Sequence, residues 1–318
     1  MNLSIILKGM AMGIAEAIPG VSGGTIAFIT GIYARLLEAI GGILGPKVLG
    51  SLRKEGLAPA WKAADGGFIL QLGIGMVLGL GIAVLSITKL LEMYPPVVWA
   101  FFFGLIIASA VYIGKQITRW NVMTIGLLVV GAAFAFWLTT INPLAGSDSP
   151  VLVFLAGAIA ITALILPGIS GSFILLLLGM YTVVLGSARS ILEGETGALI
   201  TLGFFCLGCL IGLAVFSRVI TYTFKSYPNQ TLALLTGFMI GSLRTLWPWQ
   251  NVLSTRLNSA GEEVPLLQQP VLPTAYEGDA TFLVGVVIAF LAGLAIVFVM
   301  DRFGPPAKEE VEVLEEVV

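Results

Sequence analysis

Two helix-breaking runs, each set inside an apolar segment, constrain this chain more than any other feature. Residues 3 to 40 form one apolar stretch, cut in the middle by Glu16-Ala17-Ile18-Pro19-Gly20-Val21-Ser22-Gly23-Gly24-Thr25. Proline removes a helical hydrogen bond and glycine weakens a helix interior, so the run ends one helix and starts another. The break recurs as Leu164-Ile165-Leu166-Pro167-Gly168-Ile169-Ser170-Gly171-Ser172. Gly31 and Tyr33 are answered by Gly179 and Tyr181 at the same offset of 148 residues. Each piece of the first stretch is about 16 residues, or roughly 24 Å of helix, against a hydrocarbon core of roughly 30 Å. The pieces therefore read as half-helices of a re-entrant hairpin, with a tight pair of full crossings as the other arrangement.

Composition fixes the solvent. With 58% hydrophobic and 11% charged residues and a mean hydropathy of +1.02, the chain is far more apolar than a soluble domain, whose charged share is about 25%. An all-α polytopic membrane protein is expected. A net charge of -2 with no basic face argues against nucleic acid. Cys206 and Cys209 fall inside an apolar run and support no disulfide framework. The chain has no histidine, which removes the usual near-neutral acid/base and metal ligand, so no metal or cofactor is expected. A cleavable signal is not the reading of the first apolar piece: it lacks a basic leader, and its motif returns in mid-chain.

The first repeat spans residues 1–141: the hairpin 3–40, a polar linker 41–67 with Lys47, Arg53, Lys54 and Lys62, and spans near 68–91, 95–115 and 121–141. The second spans 150–300, with the hairpin 150–188 and spans near 199–223, 228–247 and 280–300. The outer loop 248–280, containing Pro265, Pro270 and Pro273, reads as an external cap or solvated linker. An acidic cytoplasmic tail, 304–318, holds Glu309, Glu310, Glu312, Glu315 and Glu316. Gly75, Gly79, Tyr94, Pro95, Gly104 and Ser109 line up with Gly208, Gly212, Tyr227, Pro228, Gly237 and Ser242 at an offset of 133. The 15-residue difference between the offsets is the longer linker of the first half. A hairpin returns the chain to the side it left and three spans do not, so the second half stands upside down relative to the first. This is the inverted-repeat plan of secondary transporters. With the amino terminus in the cytoplasm, Lys8, Lys47, Arg53, Lys54, Lys62, Lys115, Arg119, Arg218, Lys225, Arg302 and Lys308 fall on cytoplasmic segments and their flanks, which favours both termini there.

After each Pro-Gly, the half-helix restarts with amides that lack intrahelical partners, and its start carries about half a positive charge. Gly23, Gly24 and Gly171 allow close approach to that backbone, and Ser22, Thr25, Ser170 and Ser172 add hydroxyl donors. Two such starts converging fit a phosphate or carboxylate. The plainer reading is that Pro19, Gly20, Pro167 and Gly168 kink helices and the serines bond back to their own helix. Glu16, Arg35 and Glu38 are the ionisable residues in the hairpin arms, and their counterparts Leu164, Val183 and Gly186 are uncharged. Glu16, at the mouth of the anion site, is the expected proton or cation carrier. Arg35 guides an anion or pairs with Glu38 at i, i+3.

These motifs resemble those of the bacterial polyprenyl-phosphate transporter family, in the Glu16-x-x-Pro-Gly-Val-Ser-Gly-Gly-Thr run and the Pro167-Gly-Ile-Ser-Gly-Ser echo. The resemblance covers essentially the whole chain. It implies a translocase in the bacterial cytoplasmic membrane that returns undecaprenyl phosphate, the lipid carrier of cell-wall synthesis, from outer to inner leaflet; since moving a negative charge inward against ~100 mV costs about 2.3 kcal/mol, coupling to H+ or Na+ is expected. The phosphate would occupy the breaks while the polyprenyl chain trails into membrane lipid. The motifs are also similar, more distantly, to those of the membrane undecaprenyl pyrophosphate phosphatases. There Gly171 replaces the arginine that would clamp a transferring phosphoryl group, so translocation rather than an enzyme is expected. A small-anion transporter is the third reading. A lateral portal would separate it from a lipid carrier, and Trp99, Phe101, Phe102 and Phe103 line such a portal or form a lipid-facing belt.

Overall fold

The computed structural model describes residues 2–18, 21–43, 45–144, 146–147, 149–192, 194, 196–257 and 263–303. Pro19, Gly20 and the acidic tail lie outside the described residues. Helix α1 (Leu3–Glu16) begins on Asn2, whose side-chain oxygen accepts from the Ser4 amide at 3.0 Å. After the break come α2 (Gly23–Ile29), a turn, and α3 (Tyr33–Ile43). The turn is carried by Gly31 at φ +67°, a left-handed conformation that costs glycine little. The downstream arm is therefore two helices rather than one, because this second turn cuts it after seven residues.

The expected polar linker is also helical. It forms α4 (Pro46–Lys54) and α5 (Leu57–Ala63). Then follow α6 (Gly66–Met93), α7 (Pro95–Gly114) and α8 (Val122–Leu138). Proline at a first helical position loses no hydrogen bond, and Pro46, Pro95, Pro150 and Pro228 each open a helix this way. A capping box between Asn121 and Thr124 opens α8. Helices α9 (Pro150–Ile165), α10 (Gly171–Leu177) and α11 (Tyr181–Leu192) come next, with Gly179 at φ +69° between α10 and α11, which bend by 105°. The chain continues through α12 (Ala198–Ser226) and α13 (Pro228–Ser242) and, after the outer loop, α14 (Leu283–Phe303).

That loop is not a bare linker. It holds an antiparallel hairpin of β1 (Gln250–Leu257) and β2 (Glu263–Pro270), with an irregular register around Ser254. The Trp247 and Trp249 indoles donate to the Val271 and Thr281 carbonyls at 2.8 and 2.9 Å, which fastens the hairpin to the segment leading into α14.

Among the described residues, α6, α7 and α12 are long and apolar enough to cross a membrane, and the bent α10–α11 pair is a broken span or a re-entrant loop. The apolar helices α8 and α9 and the Leu283–Val299 part of α14 are shorter. Four helix pairs pack through glycine: α1 with α6, α9 with α12, α8 with α13, and α7 with α14. A Cβ on Gly79 would strike the Met10 carbonyl, one on Gly208 that of Phe154, one on Gly237 that of Leu128, and one on Gly293 that of Phe101. In lipid no hydrophobic force drives helices together, so such backbone-to-backbone approach is what holds them. In every pair the contacts climb together: Gly9 meets Gly75 and Gly13 meets Leu80, while Phe154 meets Gly208 and Ala158 meets Gly212. The partners therefore run parallel. Since α1 and α6 are parallel neighbours, the chain between them must return to the side where α1 began, and the same holds between α9 and α12.

Candidate functional site

The turn-back occurs at the break. Lys8 Nζ donates to the Thr30 carbonyl at 2.6 Å, so by the end of α2 the chain has come back to the level of the second turn of α1. Gly13 packs against Met76 and Leu80, so α1 ends near the middle of the 28-residue α6. Phe28, Tyr33 and Phe224 then lock the returning segment against α12, with ring centroids 5.2 to 6.4 Å apart.

The two breaks are bonded to each other. Ser22, fully buried, caps α2 by accepting from the Gly24 amide at 3.1 Å. Its hydroxyl faces the Leu164 and Leu166 carbonyls at 3.2 and 3.0 Å, groups that the end of α9 leaves without helical partners. Thr25 Oγ1, also fully buried, accepts from the Gly168 amide at 3.2 Å. The glycines make the approach possible. A Cβ on Gly24 would collide with the end of α9, one on Gly168, at φ +86°, would lie 2.7 Å from the Met239 backbone, and one on Gly171 would lie 2.7 Å from the Ala160 carbonyl. Here Gly24 and Gly171 face protein atoms where the sequence reading expects a ligand, and Gly168, expected only to break the helix, also packs against backbone.

The breaks differ in how their helix starts are satisfied. At the first, Glu16 Oε1 accepts from the Gly23 amide at 2.6 Å and fills the position expected for an anion. Among the described residues Glu16 has no ion-pair partner. At the second, among the described residues, α10 has no side-chain cap, and the hydroxyl of buried Ser170 shares a 2.9 Å hydrogen bond with Ser172 alone. Ser170 also borders a cavity of about 10 Å³, with Thr139, Phe173, Ser242 and Thr245 around it. Phe173 stands where the first half has Thr25, so the second half has no hydroxyl to match the bond from Thr25 to Gly168.

Arg35 does not pair with Glu38. Its guanidinium makes two bonds to Asp65, at 2.6 and 3.0 Å, and sits 4.4 Å over the Phe68 ring. Asp65 wins because it is the N-cap residue of α6, and the turn at Gly31 swings α3 beside it. Arg35 and Glu38 are both exposed, and among the described residues neither bonds to a break residue. Trp99 and Phe102 are buried, and Phe103 packs on Trp247 and Phe290 at 5.6 and 6.2 Å, so this aromatic run fills the interior instead of forming a lipid-facing belt. Two participants escaped the sequence reading. Asp65, directly before Gly66-Gly67 and an apolar run, carries an N-cap signature. Lys8 lies one turn inside an apolar segment, where a cation usually has an internal partner.

The chain matches a family profile described as undecaprenyl phosphate translocase-like over residues 12–264. It is 42% identical over 305 residues to a Vibrio cholerae protein named polyprenyl-phosphate transporter, covering 95% of this chain and 96% of that one. A Staphylococcus aureus protein of the same name is 32% identical over 255 residues, covering 76% of this chain and 85% of that one. Both are named as transporters and neither as an enzyme. No solved structure matches.

Proposed function

The chain belongs to the undecaprenyl phosphate translocase-like family, and from that premise we propose that it carries undecaprenyl phosphate from the outer to the inner leaflet of the bacterial cytoplasmic membrane. The observation that carries the reading is the meeting of two interrupted helices, polar group against polar group, inside an otherwise apolar helical array. Buried polar backbone away from water is expensive, and in membrane transporters it marks the place where substrate and coupling ion bind. The four parallel pairs support an inverted repeat with re-entrant hairpins whose first and last helices begin and end on one face, since each hairpin returns the chain to its starting side, and the distribution of basic residues favours the cytoplasm for that face.

In the proposed cycle the described arrangement is the closed state. The phosphate is bound by the amides and hydroxyls of Ser22, Gly23, Gly24, Thr25, Ser170, Gly171 and Ser172 once the breaks part, and Pro19, Gly20, Pro167 and Gly168 keep both helices interrupted. Glu16 and the phosphate compete for the Gly23 amide, so the phosphate enters as Glu16 takes up a proton or a sodium ion and leaves. That exchange also serves the energetics. Moving one negative charge inward against ~100 mV costs about 2.3 kcal/mol, and a co-transported cation cancels it. Arg35, bound to Asp65, acts at a distance by holding α3 against α6, and Glu38 lies on the same exposed face.

The test is transport and hydrolysis in parallel in liposomes, with undecaprenyl phosphate or its pyrophosphate in the outer leaflet and an imposed pH or sodium gradient. Movement of the monophosphate without release of inorganic phosphate, dependent on one gradient, is expected. Release of phosphate from the pyrophosphate would overturn the carrier reading, and uptake of small anions without lipid movement would replace it.

A further inference from the structure

The helices α4 and α5 have no counterpart in the second half, where only 193–197 separate α11 from α12. They are amphipathic in an unusual way for a covering element, because most of their apolar side chains are not buried. At 100° per residue, Val48, Leu49 and Leu52 share one side of α4 while Lys47, Arg53 and Lys54 share the other. Leu49 and Leu52 are exposed, as are Leu57 and Trp61 on α5, with Leu57 at 80%. Lys47, Arg53, Lys54 and Lys62 are all exposed, and among the described residues none is in an ion pair. The acidic residues nearby are Glu55 and Asp65, and Asp65 is held by Arg35.

Depth identifies the partner. The Trp61 ring covers Gly66, the first residue of α6, closely enough that a Cβ there would strike it. Leu70, about one turn further along α6, is exposed on a helix long and apolar enough to cross the membrane. Trp61 therefore lies about one helical turn from the hydrocarbon boundary, the level that tryptophan favours, and Leu57 lies one turn before it on α5. A helix pair at that depth, with leucines and tryptophan on one side and unpaired cations on the other, matches an interfacial helix on a negatively charged lipid surface. We propose that α4 and α5 are a docking surface for anionic phospholipid headgroups, with Lys47, Arg53, Lys54 and Lys62 on the phosphates and Leu49, Leu52, Leu57 and Trp61 in the acyl boundary. The proposal rests on the chain being embedded in a bilayer and not on what it transports.

The experiment uses the full chain in phosphatidylcholine nanodiscs, with Cys206→Ser and Cys209→Ser and a single fluorophore at Leu57→Cys, at Leu49→Cys, or at Val77→Cys on the exposed side of α6. Quenching is measured with traces of spin-labelled phosphatidylcholine or spin-labelled phosphatidylglycerol. The Val77 label is expected to be quenched equally by both. The Leu57 and Leu49 labels are expected to be quenched by both but more by phosphatidylglycerol, since one surface cation enriches an anionic lipid roughly fivefold. High salt, or Lys47→Gln with Arg53→Gln, Lys54→Gln and Lys62→Gln, should remove that excess and leave phosphatidylcholine quenching unchanged. Quenching at Val77 without quenching at Leu57 and Leu49, or equal quenching there by both lipids, overturns the docking surface. An unquenched Val77 overturns bilayer embedding itself, and absent transport with the expected quenching counts only against the carrier reading.

Discussion

At the scale of single residues, the site is a set of polar groups that satisfy one another, so each substitution should show which bond it supported. Glu16→Gln retains an oxygen to accept from the Gly23 amide but cannot exchange a proton. Transport should persist while its dependence on the imposed gradient disappears, and an unchanged gradient dependence would remove Glu16 as the carrier. Ser22→Ala deprives the Gly24 amide of its cap and removes the hydroxyl shared between the Leu164 carbonyl and the Leu166 carbonyl, the latter keeping the Ile169 amide. It should cost about 2 to 3 kcal/mol in reversible unfolding in detergent. Ser170→Ala should cost clearly less, because among the described residues the Ser170 hydroxyl bonds only to Ser172. Equal losses at the two serines would mean that the stitch between the breaks is not what Ser22 supports. The sequence singled out Glu16, Ser22, Thr25 and Ser170, because hydroxyls and a carboxyl beside Pro-Gly in an apolar run are costly in lipid unless each finds a partner. It did not disclose those partners. Ser22 reaches carbonyls 142 and 144 residues away, and Arg35 passes over Glu38 in favour of an aspartate 30 residues on. Local spacing carries no information about such pairings.

Elements were legible where proline marks their starts and obscure where a glycine turn or an interfacial surface replaces the usual pattern. Pro95, Pro150 and Pro228 sit at the first positions of α7, α9 and α13, close to the expected starts. The turns at Gly31 and Gly179 were hidden, since a single glycine within an apolar stretch does not by itself announce a turn, and only the fold shows its left-handed φ. The helices α4 and α5 were read as polar linker because four cations outweighed their apolar sides, and the outer hairpin was missed because Pro265 and Pro270 argue against strands. The glycine-packed pairs give the sharpest element-scale prediction. Gly208→Leu would drive a side chain into the Phe154 carbonyl and separate α9 from α12, so folded protein recovered by size-exclusion chromatography should fall severalfold. Gly126→Leu points into open space on α8 and should leave recovery unchanged. A similar loss at both positions would mean that helix propensity, not interhelical contact, sets the tolerance for glycine replacement.

At the scale of the whole molecule, the parallel pairs tie orientation to packing. Because α1 runs beside and parallel to α6, and α8 beside and parallel to α13, each pair begins on one face of the membrane, and α9 with α12 and α7 with α14 begin on the other. Every connection must then fall on a determined side. The α4–α5 segment, the 115–121 loop, the turn at Tyr227 and the end of α14 share one face, while Tyr94, the 139–149 loop, the 193–197 link and the β-hairpin share the opposite face. Two contacts agree with this division: the Asn229 side chain accepts from the Thr118 amide at 2.7 Å on the first face, and Tyr94 stacks on Phe282 at 5.3 Å on the second. In the proposed orientation the first face, which carries most of the basic residues, is cytoplasmic. In a background with Cys206→Ser and Cys209→Ser, single cysteines at Lys54, Thr118 and Arg302 should react with a membrane-impermeant maleimide only in inverted vesicles. Cysteines at Glu92, Gly194 and Glu277 should react in intact cells. If either set divided between the two preparations, a hairpin would have failed to return the chain to its starting side, and the inverted-repeat reading would fall with it. If both sets switched together, the repeat would stand and the charge argument for orientation would be wrong.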